Sequence, residues 1–203
     1  KAASLDDHEE AWREAIEAIQ GSSRYGGLIL TPQLGLVPLG ADPRSGLWEF
    51  AHLQSGTLPT RTKQGELELG DESAVVLVLL PGGRFNMGAE RPSAERPMGS
   101  PNIDPDARES EGPVHSVTLA PFFIAKHELT QSQWTRLGAK NPAAYLPGTS
   151  FGGREVSLRH PVEQIRWREA KRALAHLALR LPTEAQWEYA MRGGTSSVYA
   201  TGD

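Results

Sequence analysis

The sequence predicts an α+β fold in which short strands and separated helices are joined by much irregular chain. Apolar residues recur at helical spacing near the N-terminus and in the C-terminal third, whereas short apolar runs bounded by turn residues fill the region between. The 203 residues include 21 glycines and 15 prolines, which interrupt long elements. Strands and helices do not alternate regularly, so repeated βαβ units are not expected.

The composition is that of a soluble globular chain and argues against two classes of partner. With a net charge of −4, the chain lacks the positive charge that phosphate-dependent nucleic-acid binding needs. Its longest apolar run, residues 74–80, is too short to cross a bilayer. We therefore expect no nucleic-acid partner and no membrane span. The chain has no cysteine, so it contains no disulfide, thiolate ligand or thiol nucleophile.

Residues 4–20 are predicted to form an amphipathic helix, and residues 1–24 a helical lead and linker. Ser4 is the expected cap, with Asp7 returning the bond three residues later. The helix carries one apolar stripe, made of Leu5, Trp12, Ala15, Ile16 and Ile19. An isolated helix of this length is marginal in water, so the stripe is expected to pack on the following domain or on a partner domain.

Residues 25–74 are predicted to be short β segments leading into the main domain. Candidate strands lie at 28–31, 34–39 and 47–53, and a further one at 74–80. The last of these is continuously apolar, so we expect it to be the most buried strand. Strand character returns at 114–119 and 122–124.

A long polar loop is predicted between Ala89 and Gly112. It contains four prolines and no periodic apolar pattern, and a loop of this length in a compact domain is functional or disordered. We consider it a possible partner-facing surface or protease-sensitive site, with a simple solvated loop as the alternative; its candidate residues are Arg91, Arg96, Asp104, Asp106 and Arg108. The two aspartates are expected to keep the loop solvated, and a calcium site is the alternative hypothesis.

Three further helices follow. Thr130 with Gln133, and Thr183 with Gln186, have capping-box spacing. Between these two helix starts, residues 166–177 are expected to form a helix with Trp167, Ala170, Leu174 and Ala178 on one face. The last helix has Trp187, Ala190 and Met191 on one face and is expected to end at Gly193-Gly194.

The residues alone indicate no catalytic constellation. His127-Glu-Leu-Thr-Gln131 begins like a zinc-binding helix motif but has glutamine where the second histidine is required. Phosphate-binding loops, a dinucleotide fingerprint and a serine nucleophile elbow are absent from the sequence. Local patterns therefore predict a globular domain without an assigned activity.

Four separated blocks of sequence resemble the formylglycine-generating enzyme family, also called sulfatase-modifying factors. The blocks are Gly82–Gly88, Glu111–Trp134, His160–Ala170 and Arg180–Gly194, and they occur in the family's order. The matching positions are interpreted as structural motif residues: Phe85, Met87, Gly88, His115, Glu128, Trp134, Trp167, Arg180, Glu184, Trp187, Glu188 and Arg192. The flanking segments from Tyr25 to Leu53 and from Pro101 to Ala107 resemble a bacterial subgroup in which the domain is appended to signalling proteins such as serine/threonine kinases.

The resemblance implies a fold and limits what activity this chain can carry. The family fold is a C-type-lectin-like α+β fold, and the parent enzyme oxidises a cysteine of sulfatases to formylglycine with oxygen and copper held by two cysteines. In the parent enzyme, those cysteines and the calcium-binding segments follow the fourth block. Residues 75–203 therefore resemble the N-terminal half of the domain, with the fold incomplete at its C-terminus. No catalytic, cofactor-binding or metal-binding residue is expected here; copper and calcium would be expected only with a parent-type second half.

Two functions follow as hypotheses. The first is a non-catalytic protein-binding or regulatory module of a bacterial signalling or defence protein in the bacterial cytoplasm, its partner being another protein or the rest of its own parent chain. The alternative is part of a copper-dependent oxidase that converts a protein cysteine to formylglycine, with the catalytic half beyond Asp203 or on another chain. A truncated or cleaved fragment is a further possibility, which predicts an exposed apolar face that includes Leu174 and Trp187.

Overall fold

The computed structural model describes residues 2–197 and divides them into two units. Unit 1 consists of residues 2–79 and 123–181, and unit 2 of residues 80–122 and 182–197. The helices are α1 (Glu9–Gly21), α2 (Gln131–Arg136), α3 (Trp167–His176) and α4 (Glu184–Arg192). The strands are β1 (Leu36–Ala41), β2 (Trp48–His52), β3 (Thr60–Arg61), β4 (Leu67–Glu68), β5 (Val75–Leu80), β6 (Gly83–Met87), β7 (His115–Leu119), β8 (Phe122–Ala125), β9 (Ser150–Phe151) and β10 (Arg154–Glu155). The predicted mixture of helices, short strands and irregular chain is confirmed.

The core of unit 1 lies where α1 meets a four-stranded sheet of order β1-β2-β5-β8. Trp12 and Ile19 of α1 are buried, and the Trp12 ring lies 5.5 Å from the ring of Phe50 on β2. Phe50 in turn meets Phe123 of β8 edge to face, with ring centroids 5.1 Å apart. The amphipathic stripe of α1 therefore packs on the following domain, as the sequence predicts.

Three local predictions in unit 1 are wrong. The α-helix begins at Glu9 without a side-chain cap; the Ser4 hydroxyl instead accepts a hydrogen bond from the Gly35 backbone N–H at 3.1 Å. Residues 28–31 form no strand. The most buried strand is β2, which is buried at every residue, whereas Val78 and Leu80 of β5 stay partly accessible. Strand β2 lies between β1 and β5, so neighbouring strands cover both of its edges.

A buried cluster of charges forms around β2. Glu49 is fully buried (0% exposed); its carboxylate accepts hydrogen bonds from Arg61 Nη2 at 2.7 Å and from the Lys126 ammonium. Lys126 Nζ also lies 3.0 Å from Asp42 Oδ1. Burial raises the pKa of Asp42, but hydrogen bonds from Ser45 and Lys126 outweigh it and hold that pKa well below its usual range. Two carboxylates thus face two cations, and this pairing offsets the cost of burying Glu49.

Unit 2 is built on the antiparallel pair β6–β7 and on α4. The register runs from Gly83 opposite Leu119 to Met87 opposite His115. Tyr189 of α4 packs edge to face on Phe85 and Phe122, with ring centroids 5.4 and 6.0 Å apart, and its hydroxyl donates to the Gly82 carbonyl. Burial raises the pKa of the Tyr189 hydroxyl, which keeps it protonated as a donor. These contacts fix α4 against the β6–β7 pair.

The polar loop predicted between 89 and 112 is held by its own hydrogen bonds. Glu90 exchanges backbone hydrogen bonds with Asn102 and Asp104, both at 3.0 Å. The Arg96 guanidinium pairs with the Glu90 carboxylate and donates to the Pro101 carbonyl at 2.6 Å. The loop is therefore a folded part of unit 2. No helix within residues 2–197 is long and apolar enough to cross a membrane.

Candidate functional site

A cavity of about 250 Å³ in unit 2 brings together residues from three of its segments. Helix α4 contributes Glu184, Trp187, Glu188, Met191 and Arg192, the turn after β6 contributes Gly88 and Ala89, and the polar loop contributes residues 102–104 and Glu111. Ser197 completes the lining. Members of two predicted groups, the family-motif residues and the polar-loop residues, therefore meet at one place.

Local capping sets where α4 begins and ends. The Thr183 hydroxyl accepts the Gln186 backbone N–H at 3.2 Å, and the Gln186 side chain accepts the Thr183 backbone N–H at 3.0 Å. This capping box starts α4 at Glu184, and Gly193 in the left-handed conformation (φ 54°) ends it. Both predicted helix signals are confirmed. Residues at spacing i, i+3, i+4 and i+7 from Glu184 share one side of the helix, the side that lines the cavity.

Gly88 is the point where α4, β6 and the loop are joined. Its backbone N–H donates to Glu188 Oε1 at 2.8 Å, and its carbonyl accepts from Arg192 Nη2 at 2.9 Å. Asn102 Nδ2 donates to the same carbonyl at 2.8 Å. Arg192 also pairs with Glu188 one turn away, with 2.7 Å between Nη2 and Oε1. These bonds hold the helix and the cavity wall in a single geometry.

Only glycine fits at position 88. Its φ of 97° lies in the left-handed region, and a Cβ there would lie 2.4 Å from the Glu111 carbonyl oxygen. Asn102, with a φ of 60°, is also left-handed, which asparagine tolerates better than most residues. Sequence reasoning identified Gly88 but missed Asn102 and Tyr189, since neither stands in a local pattern that signals a contact far along the chain.

The cavity is negatively charged and has an exposed aromatic side chain. Within residues 2–197, Glu188 is the one lining carboxylate that forms an ion pair, with Arg192. Asp104, Glu111 and Glu184 carry the remaining negative charge. Trp187 is 58% exposed, far more than expected for a tryptophan on the apolar face of a helix. The site therefore presents an exposed aromatic ring beside carboxylates that form no ion pair among the described residues.

The other candidate residues of the polar loop lie away from this cavity. Arg91 Nε donates to the Ala107 carbonyl at 2.8 Å, and Arg91 and Arg108 line a separate cavity of about 750 Å³. Asp106 is exposed, and its backbone N–H donates to Asp104 Oδ1 at 2.8 Å. Arg96 forms an ion pair with Glu90 within the loop. Of the five loop candidates, Asp104 alone lines the cavity beside α4.

The remaining motif residues divide between the two units. In unit 2, Phe85 packs on Tyr189, Met87 lies opposite His115 in the β6–β7 ladder, and exposed His115 bonds Pro113 through Nδ1. In unit 1, Trp134 is buried and donates to the Lys140 carbonyl at 3.1 Å, whereas Arg180 is exposed. Glu128 lines a different cavity.

The predicted face of α3 is wrong at Ala178, whereas Trp167, Ala170 and Leu174 lie in the helix at the expected spacing. Trp167 is 63% exposed, and the Lys171 Nζ lies 5.0 Å from its ring centroid. Ala178 lies beyond the end of α3 with a φ of 54°, so it has left the helical register. The helix itself, Trp167–His176, is confirmed.

In the part of the chain that the structure describes, no three histidine, aspartate or glutamate side chains are grouped to hold a metal ion. This applies to His127 and Glu128, which begin the incomplete zinc motif, and to the loop pair Asp104 and Asp106.

A family model described as the sulfatase-modifying factor enzyme 1-like domain matches residues 64–203. The chain belongs to this family. Among curated sulfatase-modifying factor relatives, it is similar to the inactive C-alpha-formylglycine-generating enzyme 2 of Bos taurus, at 30% identity over 68% of this chain and 56% of the relative. It is similar to the formylglycine-generating enzyme of Mycobacterium tuberculosis, at 28% identity over 63% of this chain and 54% of the relative. The chain spans about half the length of these two relatives.

Kinases of Chlamydia also carry a region similar to this sulfatase-modifying factor domain. The serine/threonine-protein kinase Pkn1 of Chlamydia trachomatis is 28% identical over 63% of this chain, which corresponds to 21% of the kinase. Among solved structures, PvdO from Pseudomonas aeruginosa matches with a TM-score of 0.44 and 24% identity, covering 71% of this chain and 54% of PvdO. The C-type-lectin-like architecture and the segment boundaries at residues 24 and 74 stay predictions.

Proposed function

We propose that this chain acts as a non-catalytic protein-binding or regulatory module of a bacterial signalling or defence protein. The observation that carries the proposal is Trp187, 58% exposed on a helix that is fixed in place beside an acidic cavity. Tryptophan is enriched among the residues that carry most of the binding energy of protein interfaces. The partner is a protein or the rest of this module's own parent chain, and the proposed compartment is the bacterial cytoplasm.

The rigidity of the site supports binding. The Gly88, Glu188 and Arg192 contacts hold α4 before any partner arrives, so little conformational entropy is lost on association. The negative charge of Asp104, Glu111 and Glu184 favours a partner that presents a lysine or arginine side chain next to the Trp187 ring.

Two further observations support a non-catalytic role. The parent chemistry that the resemblance implies uses two cysteines as copper ligands, and this chain has none. Its relatives include a protein named as inactive and a kinase in which the similar region is about a fifth of the length. We accordingly propose no catalytic residue and no cofactor for residues 1–203.

The test is selection of peptides that bind the immobilised chain from a random library, followed by affinity measurement on variants. Trp187→Ala should weaken the selected peptides by about tenfold or more. Trp167→Ala is the matched control, because Trp167 is equally exposed but lies on α3 of unit 1, and it should leave the affinity unchanged. If no peptide depends on Trp187, or if both variants weaken binding equally, the proposed surface is wrong.

The alternative function is part of a copper-dependent oxidase whose catalytic half lies beyond Asp203 or on another chain. The similarity to the Mycobacterium tuberculosis formylglycine-generating enzyme favours it. The assay is copper binding by the longest natural polypeptide that contains this sequence, with mass spectrometry of a cysteine peptide incubated with that protein and oxygen. Conversion of the thiol to an aldehyde supports the oxidase and contradicts the non-catalytic module; unchanged peptide in a copper-loaded sample contradicts the oxidase.

A further inference from the structure

A second cavity, of about 600 Å³, lies entirely within unit 1 and is not part of the site described above. Its lining comes from β4 and the segment after it, from β5, from residues 127–133 around the start of α2, and from residues 157–161. This volume is in the range of pockets that hold small molecules.

One wall of the cavity is apolar. Leu67, Leu69, Ala74, Val75 and Val76 line it; the Val75 side chain belongs to the core cluster with α1, so the neighbouring Val76 side chain lies on the opposite face of β5. Ala74, Val75 and Val76 are buried parts of the β5 region, so this wall belongs to the core sheet and is preformed. Leu67 and Leu69 are partly accessible, so a ligand with an aliphatic or aromatic portion would gain by covering these two side chains.

Several polar residues of the lining are already used by the fold. The Thr130 hydroxyl and the Gln133 side chain complete the capping box of α2, and Gln133 Nε2 also donates to the Ser73 carbonyl at 3.3 Å. The Ser73 hydroxyl accepts the Gly70 backbone N–H at 2.8 Å. These groups shape the cavity and leave little hydrogen-bonding capacity for a ligand.

Two opposite charges of the lining remain available. Within residues 2–197, the Glu128 carboxylate forms neither an ion pair nor a hydrogen bond. Arg159 and Glu128 are both exposed. Arg159 Nη1 donates to the Leu69 carbonyl at 3.1 Å, which holds the guanidinium next to the apolar wall, and no described residue bonds its Nη2 or Nε. Arg159 and Glu128 form no ion pair with each other among the described residues.

His160 adds a donor beside Arg159. The Ser157 backbone N–H donates to His160 Nδ1 at 2.9 Å, and the Ser157 carbonyl oxygen lies 3.2 Å from the same nitrogen. In the tautomer that accepts the shorter bond, the proton of the neutral ring is on Nε2. Nε2–H and the free guanidinium N–H groups are both suited to an oxygen anion. The lining thus combines donors for a carboxylate, one acceptor for an ammonium group and an apolar wall.

We propose that this cavity binds a small zwitterion with an apolar side chain, of the amino-acid class. Arg159 and His160 hold its carboxylate, Glu128 holds its ammonium group, and its side chain lies against Leu67, Leu69 and Val76. The two unpaired charges and the preformed wall carry this assignment, which does not depend on the protein-binding role proposed for unit 2.

The test is a titration series on the intact 203-residue chain, followed by amide chemical shifts and by calorimetry. L-leucine should bind and shift the resonances of residues that line the cavity. N-acetyl-L-leucine lacks the ammonium group and L-leucinamide lacks the carboxylate, so each should bind about tenfold more weakly. Absence of leucine binding, or equal binding of the three probes, overturns the proposal.

Matched variants identify the two charges. Arg159→Gln should weaken the binding of L-leucine about tenfold and leave the binding of L-leucinamide unchanged. Glu128→Gln should also weaken the binding of L-leucine about tenfold and leave the binding of N-acetyl-L-leucine unchanged. Arg154→Gln and Glu155→Gln are the controls, because both residues are exposed on β10 and neither lines the cavity. If the control variants weaken L-leucine as much as the cavity variants, the assignment of these two residues is wrong.

Discussion

Replacing Glu49 by glutamine tests whether the buried charge cluster stabilises unit 1. The glutamine keeps the size of the side chain and a carbonyl acceptor but removes the negative charge. Arg61 and Lys126 would then face each other across a neutral group, with side chains only 21% and 28% exposed. Removing one partner of a buried ion pair costs roughly 3–5 kcal/mol. Because both cations retain some solvent, we expect the lower end, about 3 kcal/mol of unfolding free energy.

The same substitution at Glu66 is the matched control. Glu66 pairs with Arg44 at 2.6 Å, a distance similar to the 2.7 Å between Glu49 and Arg61. The side chains of Arg44 and Glu66 are 82% and 55% exposed, however, so solvent screens this pair and Glu66→Gln should change the free energy of unfolding far less than Glu49→Gln does. Because the two ion pairs have similar distances but different burial, comparing the two variants separates the effect of burial from that of geometry.

The assay is urea unfolding followed by tryptophan fluorescence. Four of the five tryptophans lie in unit 1, so a Trp187→Phe background makes the signal report unit 1 alone. With a denaturant slope of about 2 kcal/mol per molar urea, Glu49→Gln should lower the midpoint by about 1.5 M. Glu66→Gln should leave the midpoint nearly unchanged. If the two variants shift the midpoint equally, burial of Glu49 does not govern the stability of the cluster and the reasoning is refuted.

Two further predictions concern Gly88 and His52. Gly88→Ala should destabilise unit 2 by about 2 kcal/mol more than Gly99→Ala. Both glycines are left-handed, but only a Cβ at position 88 would clash with backbone atoms. The rate of proteolysis within α4 measures the loss of stability, and equal rates for the two variants would contradict the prediction. His52 is buried, its Nδ1 has no hydrogen-bond partner within residues 2–197, and burial lowers its pKa. The unfolded chain therefore takes up a proton first as pH falls below about 6.5, so stability should drop in acid. His52→Leu should reduce the loss of stability between about pH 7.5 and pH 5.5, and an unchanged loss would exclude His52 as its source.

Much of the local structure could be predicted because its causes lie within a few residues. The Thr130 and Thr183 caps each bond a partner three residues away, so the spacing in the sequence is enough to place both helix starts. The prediction failed at Ser4 for the opposite reason. Its hydroxyl accepts the Gly35 N–H, 31 residues away, and no local pattern signals that contact.

The sequence by itself determined the mixed fold class, the starts of α2 and α4, the lack of cysteine and the motif positions that place the chain in its family. Only the tertiary structure decided what those positions do. Gly88 meets Glu188 and Arg192 about a hundred residues further along the chain, and Glu49 is neutralised by Arg61 and Lys126 from separate segments. The reason is physical: caps and turns follow from short-range hydrogen bonding, whereas burial, charge pairing and cavities depend on which distant segments pack together.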